Sequence, residues 1–95
     1  MDKIIYFDNA ATTFPKPEEV YSFMDTFYRH CGVNVGRGQH KLSSEASALM
    51  EETRELLLYL FRCQNKKVVF TSTATEAINI ILQGIHIPHN SCVYI

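Results

Sequence analysis

The sequence lacks the features that mark several classes of protein. It has no run of about 18 apolar residues, so no transmembrane helix is expected. Its first residues pass from Ile4 to Phe7 into Asp8 and Asn9 without the basic and apolar regions of a signal peptide. A formal net charge of −1 gives no reason to expect nucleic acid or an anionic membrane as a partner.

Cysteine is scarce and not arranged for pairing. Cys31, Cys63 and Cys92 are far apart, odd in number and outside any CxxC pair, and the four histidines show no HExxH spacing. This argues against a disulfide scaffold or a zinc site and fits a reducing, cytoplasmic environment. The three thiols are expected to act as small buried hydrophobes.

The length and composition are ordinary for one small globular domain with a modest core. The chain has 95 residues, 46% hydrophobic and 20% charged. Asn9–Pro17 has no periodicity and predicts an extended arm. Pro17, with two glutamates after it, predicts a first helix that Gly32 ends. Ser43 or Ser44 is the expected cap of a long second helix reaching about Arg62.

The last third of the chain predicts a strand–helix–strand unit. Val68–Phe70 is a continuous apolar run typical of a buried strand, and Cys92–Ile95 begins another. Between them an amphipathic helix ends at Gly84, which makes a right-handed βαβ unit. Because two short parallel strands do not bury themselves, we expect the fold to continue beyond this segment.

The junction before that helix carries a capping box. The Thr73 hydroxyl is expected to accept from the Glu76 N–H, and the Glu76 carboxylate from the Thr73 N–H. In α/β sheets ligands bind where a helix starts after a strand, and a helix start can bind phosphate. Many helices begin with threonine and bind nothing, so the pattern alone also allows a purely structural cap.

Four blocks of the sequence, in this order, resemble the opening of cysteine desulfurases and related class V aminotransferases. They cover nearly the whole chain and comprise Tyr6–Thr13 with Pro15–Pro17, Gly36–Ser43, Glu52–Leu57 and Phe70–Asn79. The resemblance implies an α/β fold, the N-terminal part of the type I fold of pyridoxal-phosphate (PLP) enzymes. It would comprise an arm and two helices over residues 1–66, and the incomplete start of the PLP-binding large domain over 67–95.

The resemblance also implies site residues. Ala74 and Thr75, with Thr73 as the cap, would hold the phosphate of the cofactor PLP. Arg37 would attract the substrate carboxylate, a role suited to the forked guanidinium, and His40 and Asn9 would lie near the substrate. The alternative from the residues is structural: Arg37 pairs with a carboxylate, His40 caps or packs, and Asn9 belongs to an anchoring arm.

By this resemblance the whole protein is a cysteine desulfurase. It would convert L-cysteine to L-alanine and pass sulfur to an enzyme cysteine, and possible partners are a second copy in a homodimer and a sulfur-acceptor protein in iron–sulfur cluster assembly. The resemblance implies no catalytic residue among these 95, because in similar enzymes the Schiff-base lysine, the ring-stacking residue and the persulfide cysteine lie downstream of the region that these residues match. Lys41 and His89 are not given those roles. The open alternatives are a selenocysteine lyase, another class V aminotransferase, or, in a different class, a truncated non-catalytic remnant or interaction fragment.

Overall fold

A computed structural model of the chain describes residues 2–95. It contains α1 (Glu18–Cys31), α2 (Lys41–Leu60) and α3 (Ala74–Gly84). The chain divides into two compact units, Met1–Leu56 and Leu57–Ile95. The division after residue 66 that the resemblance implies stays a prediction. Within residues 2–95 no helix has the length and apolar character needed to cross a bilayer.

The bounds of α1 agree with the sequence prediction. Pro17 occupies the N-cap position and Gly32 the C-cap position. Glu18 and Glu19 lie in the first turn and Arg29 in the last, so both ends of the helix carry charges that its dipole favours. Local sequence signals are therefore sufficient to set both ends of this helix.

The predicted start of α2 is wrong by several residues. The helix begins at Lys41, so Ser43 and Ser44 lie inside its first turn and neither caps it. His40 provides the cap instead, because its Nδ1 accepts the backbone N–H of Ser43 at 3.2 Å. An unprotonated imidazole nitrogen is an acceptor, so it can do what a serine or aspartate oxygen does at this position.

The small core of the first unit lies where α1 ends and α2 begins. Cys31 is buried and its Sγ donates to the Leu42 carbonyl at 3.1 Å. Ala46 and Ser43 are 1% and 2% exposed. The small size of these side chains lets the two helices approach closely, so a larger residue there would be costly. The expectation that all three cysteines are buried is wrong, since Cys63 is half-buried and Cys92 exposed.

The arm before α1 is turned, which corrects the expectation of an extended segment. The backbone N–H groups of Ala11 and Thr12 both donate to the Asp8 carbonyl, at 3.0 and 3.3 Å. The Tyr6 hydroxyl donates to the Thr12 carbonyl at 2.8 Å. The Tyr6 ring also meets Phe14 edge-on with centroids 5.4 Å apart. These contacts join residues three to eight positions apart without any repeating pattern, so a periodicity search does not detect them.

The second unit consists of the end of α2, two segments without regular structure, and α3. The expected strand–helix–strand unit is present only as its helix, since none of residues 2–95 is in a β-strand. A β-strand is identified by its hydrogen bonds to a neighbouring strand. Because residues 2–95 contain no such pair, Val68–Phe70 and Cys92–Ile95 are not assigned as strands. The apolar side chains of α3 are largely exposed, including Ile78, Ile81 and Leu82.

Candidate functional site

The start of α3 is built by hydroxyl and carboxylate side chains. Thr73 has an extended backbone (φ −148°, ψ 159°) and its Oγ1 accepts the Glu76 N–H at 3.1 Å. This half of the predicted capping box is confirmed. The other half is wrong by one residue, because the Glu76 carboxylate accepts from the N–H of Ser72, at 3.0 Å, rather than from Thr73.

The residues just before α3 hold its cap in place. The Thr71 hydroxyl donates to the Thr73 carbonyl at 2.9 Å, and that carbonyl also accepts the first helical bond, from the Ala77 N–H at 3.2 Å. Within the described residues, the backbone N–H groups of Thr73, Ala74 and Thr75 have no acceptor. Those three N–H groups therefore remain available to an anion at the positive end of the helix dipole.

A shallow groove of about 320 Å³ adjoins this helix start. Its lining comes from the extended segment before α3 and from one side of the helix: Lys67, Val69, Thr71, Ala77, Ile80 and Ile81. Thr71 belongs both to the groove and to the capping network. A mostly apolar groove with one hydroxyl and one ammonium at its edge suits a ligand that has both an apolar face and an anionic group.

Arg37 lies at the tip of the loop between α1 and α2. Gly36 beside it has φ +82°, a backbone conformation that residues other than glycine rarely adopt. The Arg37 side chain is exposed, and it makes no hydrogen bond or ion pair within residues 2–95. The expected alternative of a pairing with a carboxylate is therefore not found in this part of the protein, and its guanidinium is free to bind an anion.

His40 and Asn9 both have structural roles. His40 caps α2, as one reading of the sequence predicted, and Asn9 Oδ1 accepts the Phe14 N–H at 3.1 Å, which closes the turn of the arm. A role for either residue toward a substrate stays a prediction. Lys41 forms an exposed pair with Glu45 at 3.7 Å on the first turn of α2. No cluster of metal-ligating side chains occurs in the described part of the chain.

The structure thus brings the predicted phosphate residues together at one helix start and places Arg37 and His40 on one loop. Sequence reasoning missed Ser72, whose N–H receives the Glu76 carboxylate, and Gly38, which lies against the His40 ring. Both follow from the exact path of the backbone. For Gly38, the sequence offers one signal, which is its spacing from Gly36 in the loop.

Comparison with known proteins gives a consistent family. The family model described as Aminotransferase class-V matches residues 5–94. A probable cysteine desulfurase of Xylella fastidiosa (strain 9a5c) is 40% identical over 85 residues, covering 90% of this chain and 20% of the relative. A probable cysteine desulfurase of Pyrococcus abyssi is 36% identical over 84 residues, covering 87% of this chain and 20% of the relative.

A third similar protein is also described as a cysteine desulfurase. Cysteine desulfurase SufS of Plasmodium falciparum is 38% identical over 79 residues, covering 82% of this chain and 14% of the relative. The chain spans between 14% and 20% of the length of these curated relatives. No solved structure matches it. With a family model that matches nearly every residue, the chain belongs to the class-V aminotransferase family.

Proposed function

We propose that this chain forms part of a PLP-dependent cysteine desulfurase, which takes sulfur from L-cysteine, leaves L-alanine and passes the sulfur to an enzyme cysteine. The observation that carries the proposal is the start of α3, where three backbone N–H groups find no acceptor among residues 2–95 and where Thr73 and Thr75 carry hydroxyl groups. The names of the similar proteins from Xylella, Pyrococcus and Plasmodium support the choice of reaction.

The residues at the start of α3 fit the phosphate of PLP. A phosphate needs several donors, and the N–H groups of Ala74 and Thr75 together with the Thr75 hydroxyl supply them at the positive end of a helix. The Glu76 carboxylate does not occupy these donors, because it accepts the Ser72 N–H instead. Thr73 contributes by fixing the helix start, since its own hydroxyl oxygen already accepts from Glu76.

When bound, PLP supplies an electron sink for reactions at the carbon atoms of an amino-acid substrate. The residues of this chain would bind and orient the cofactor and the substrate. The start of α3 would hold the phosphate, and Arg37 would bind the substrate carboxylate with its forked donors. The lysine and cysteine that react directly are supplied by the rest of the enzyme.

The same proposal covers the setting of the enzyme. We expect a homodimer in the cytoplasm that delivers sulfur to an acceptor protein for iron–sulfur cluster assembly. The three free thiols of this chain support a reducing compartment. The many exposed apolar side chains, among them Phe7, Leu60 and Val69, support a chain that is covered by further protein.

The test is to replace Thr75 with valine in the complete enzyme. Valine keeps the branched shape and removes only the hydroxyl, so α3 stays formed while the phosphate loses one hydrogen bond. Such a bond to a charged group contributes about 1.5–3 kcal/mol, so the Kd for PLP should rise about tenfold or more. Equilibrium dialysis against free PLP and the absorbance of the bound cofactor would measure it. Thr26→Val, an exposed threonine on α1, is the matched control.

An unchanged Kd for PLP in Thr75→Val would show that the Thr75 hydroxyl does not bind the phosphate, and it would count against binding at the start of α3. The reaction itself is tested separately, by measuring alanine release from L-cysteine and from L-selenocysteine. Release from selenocysteine alone would instead identify a selenocysteine lyase. An enzyme that binds PLP and releases alanine from neither would belong to another branch of the class V aminotransferases.

A further inference from the structure

A groove of about 350 Å³, called here the α1–α2 groove, lies between the two helices of the first unit. Its lining is mostly apolar and comprises Phe23, Phe27 and Cys31 from α1 and Glu45, Ala48, Leu49 and Glu52 from α2. Cys31 lies at the end where the helices meet, since its Sγ donates to the Leu42 carbonyl. Phe23 precedes Cys31 by eight residues, so the groove extends about 12 Å, or about two helical turns, from that contact.

The apolar side chains of the groove are incompletely covered. Phe23 is 57% exposed, and Phe27 and Leu49 are only half-buried. The rings of Phe23 and Phe27 are parallel, with centroids 6.5 Å apart, so both present aromatic surface along the groove. In the described part of the chain the only buried apolar residues are Cys31 and Ala46. The two helices therefore leave most of their large apolar side chains for other protein to cover.

The α2 side of the groove is acidic. Glu45 and Glu52 are seven residues apart, so they lie on the same side of the helix, about 10 Å apart along its axis. Glu45 forms an exposed pair with Lys41 at 3.7 Å, whereas the Glu52 carboxylate has no hydrogen bond or ion pair within residues 2–95. None of the described residues that line the groove is a lysine or an arginine. This arrangement suits an apolar side chain that has a cationic neighbour.

The charge of the groove and the length of the relatives indicate what covers it. A two-fold contact with the same groove of a second copy would bring equal carboxylates together, which is unfavourable. An anionic ligand would meet the same carboxylates. The chain covers only 14–20% of the similar desulfurases, so most of such an enzyme lies outside these 95 residues. A segment of the same polypeptide has a high effective concentration at the groove, which favours it over a separate partner.

We propose that the α1–α2 groove is the docking site for an amphipathic helix from the remaining part of the same enzyme. This helix places an apolar side chain between Phe23 and Leu49 and a lysine or arginine beside Glu52. The inference rests on the proposed function only in that the chain is part of a longer enzyme. A groove of about two turns suits a helix that inserts apolar side chains about three or four residues apart.

The experiment introduces the photo-crosslinking residue p-benzoylphenylalanine at position 23 of the complete enzyme. Irradiation should give an internal cross-link, at the mass of one chain. Peptide mass spectrometry should place it on a segment beyond these 95 residues, with a lysine or arginine within about one helical turn of the linked residue. The same residue in place of Tyr28, which is 68% exposed on another side of α1, is the matched control. It should not link to that segment.

A second measurement tests the charge. Cross-linking from position 23 is repeated in increasing urea, and the midpoint of its loss reports how firmly the segment is docked. Glu52→Lys should lower this midpoint by about 0.3–1 M, because it places like charges together. Glu55→Lys makes the same change on α2 outside the groove and should leave the midpoint unchanged. Changing the cation of the linked segment to glutamate should restore the midpoint of Glu52→Lys.

The other outcomes overturn the proposal. A cross-link at the mass of two chains would show that a second copy fills the groove, and one within these 95 residues that the chain covers it itself. No cross-link would show a groove open to solvent. Equal midpoints for Glu52→Lys and Glu55→Lys, or a linked segment without a cation, would refute the charge pairing.

The binding of PLP, measured by absorbance on the same samples, separates this inference from the proposed function. An enzyme that binds PLP but lacks the internal cross-link contradicts the docking proposal alone. An enzyme that forms the cross-link but binds no PLP contradicts the proposed function alone.

Discussion

The exposed apolar surface of α3 leads to a quantitative prediction about the 95-residue chain on its own. Ile78, Ile81 and Leu82 lie on one side of this helix and are 56%, 60% and 67% exposed. Ile80, on another side, is also more than half exposed. An amphipathic helix normally buries its apolar side against other protein. The isolated chain should therefore self-associate through this helix.

The size of the effect follows from the area left uncovered. Burying a whole leucine or isoleucine side chain contributes about 1.5–3 kcal/mol, and more than half of each of the three side chains is still exposed, so each has about 1–2 kcal/mol to gain. Replacing Ile78, Ile81 and Leu82 by glutamine keeps a good helix former at each position. The substitutions should weaken self-association by about 3–6 kcal/mol, which is about a hundredfold to ten-thousandfold in Kd.

Sedimentation equilibrium over a range of protein concentrations measures this Kd directly. The control carries Glu19→Gln and Glu55→Gln, which add glutamines to exposed positions of α1 and α2 without removing apolar area. Helical content by circular dichroism should be equal in all three proteins. The reasoning about α3 is wrong if the unsubstituted chain is a monomer at high concentration. It is also wrong if the triple variant has the same Kd for self-association as the unsubstituted chain.

Two other substitutions test the first unit, each by chemical denaturation of the complete enzyme. Ala46→Leu should destabilise it by about 1–3 kcal/mol, because Ala46 is 1% exposed and a larger side chain has no space there; equal stability would show that α1 and α2 do not pack at this point. Gly36→Ala should cost about 1 kcal/mol because of its φ of +82°, although no atom lies within 4 Å of the added methyl group. A neutral result would mean that the loop does not need this conformation.

The sequence predicts the helices well where their ends depend on neighbouring residues. Pro17 and Gly32 bound α1 as expected, and Thr73 caps α3. The prediction fails at α2 because serine is the commoner cap, and only the path of the backbone shows that the His40 ring is placed to accept from Ser43 instead. A sequence rule ranks residue types by how often they cap helices. In the structure, the cap is the side chain that reaches a free backbone N–H at the helix start.

The turn of the arm could not be predicted for a different reason, and the two strands stay a prediction. The turn of the arm depends on Asn9 reaching Phe14 and on Tyr6 reaching Thr12, contacts that have no periodic signature. Val68–Phe70 has the composition of a buried strand, but a strand forms only when another strand accepts its hydrogen bonds. The composition of Val68–Phe70 therefore predicts a buried position beside another strand. Residues 2–95 provide no paired strand for this segment.

The site residues divide in the same way. Thr73, Ala74 and Thr75, the predicted phosphate-binding residues, lie together because they are consecutive in the chain. A helix start exposes their N–H groups regardless of what surrounds it. Arg37 differs, because its predicted role depends on where a loop is held. That position is set by Ser43 and Gly38, neither of which carries a chemical signature of its own.

The folding of α3 and the binding of PLP should therefore be coupled. The donors proposed for the phosphate exist only while α3 is formed, and a helix of 11 residues whose apolar side chains face water gains little from packing. Short isolated helices are marginal in water, so part of the binding free energy would be used to order this one. Protein that covers Ile78 and Ile81 removes that cost before the cofactor arrives. The same chain should consequently bind PLP more tightly within the complete enzyme than alone, even if every phosphate contact is identical.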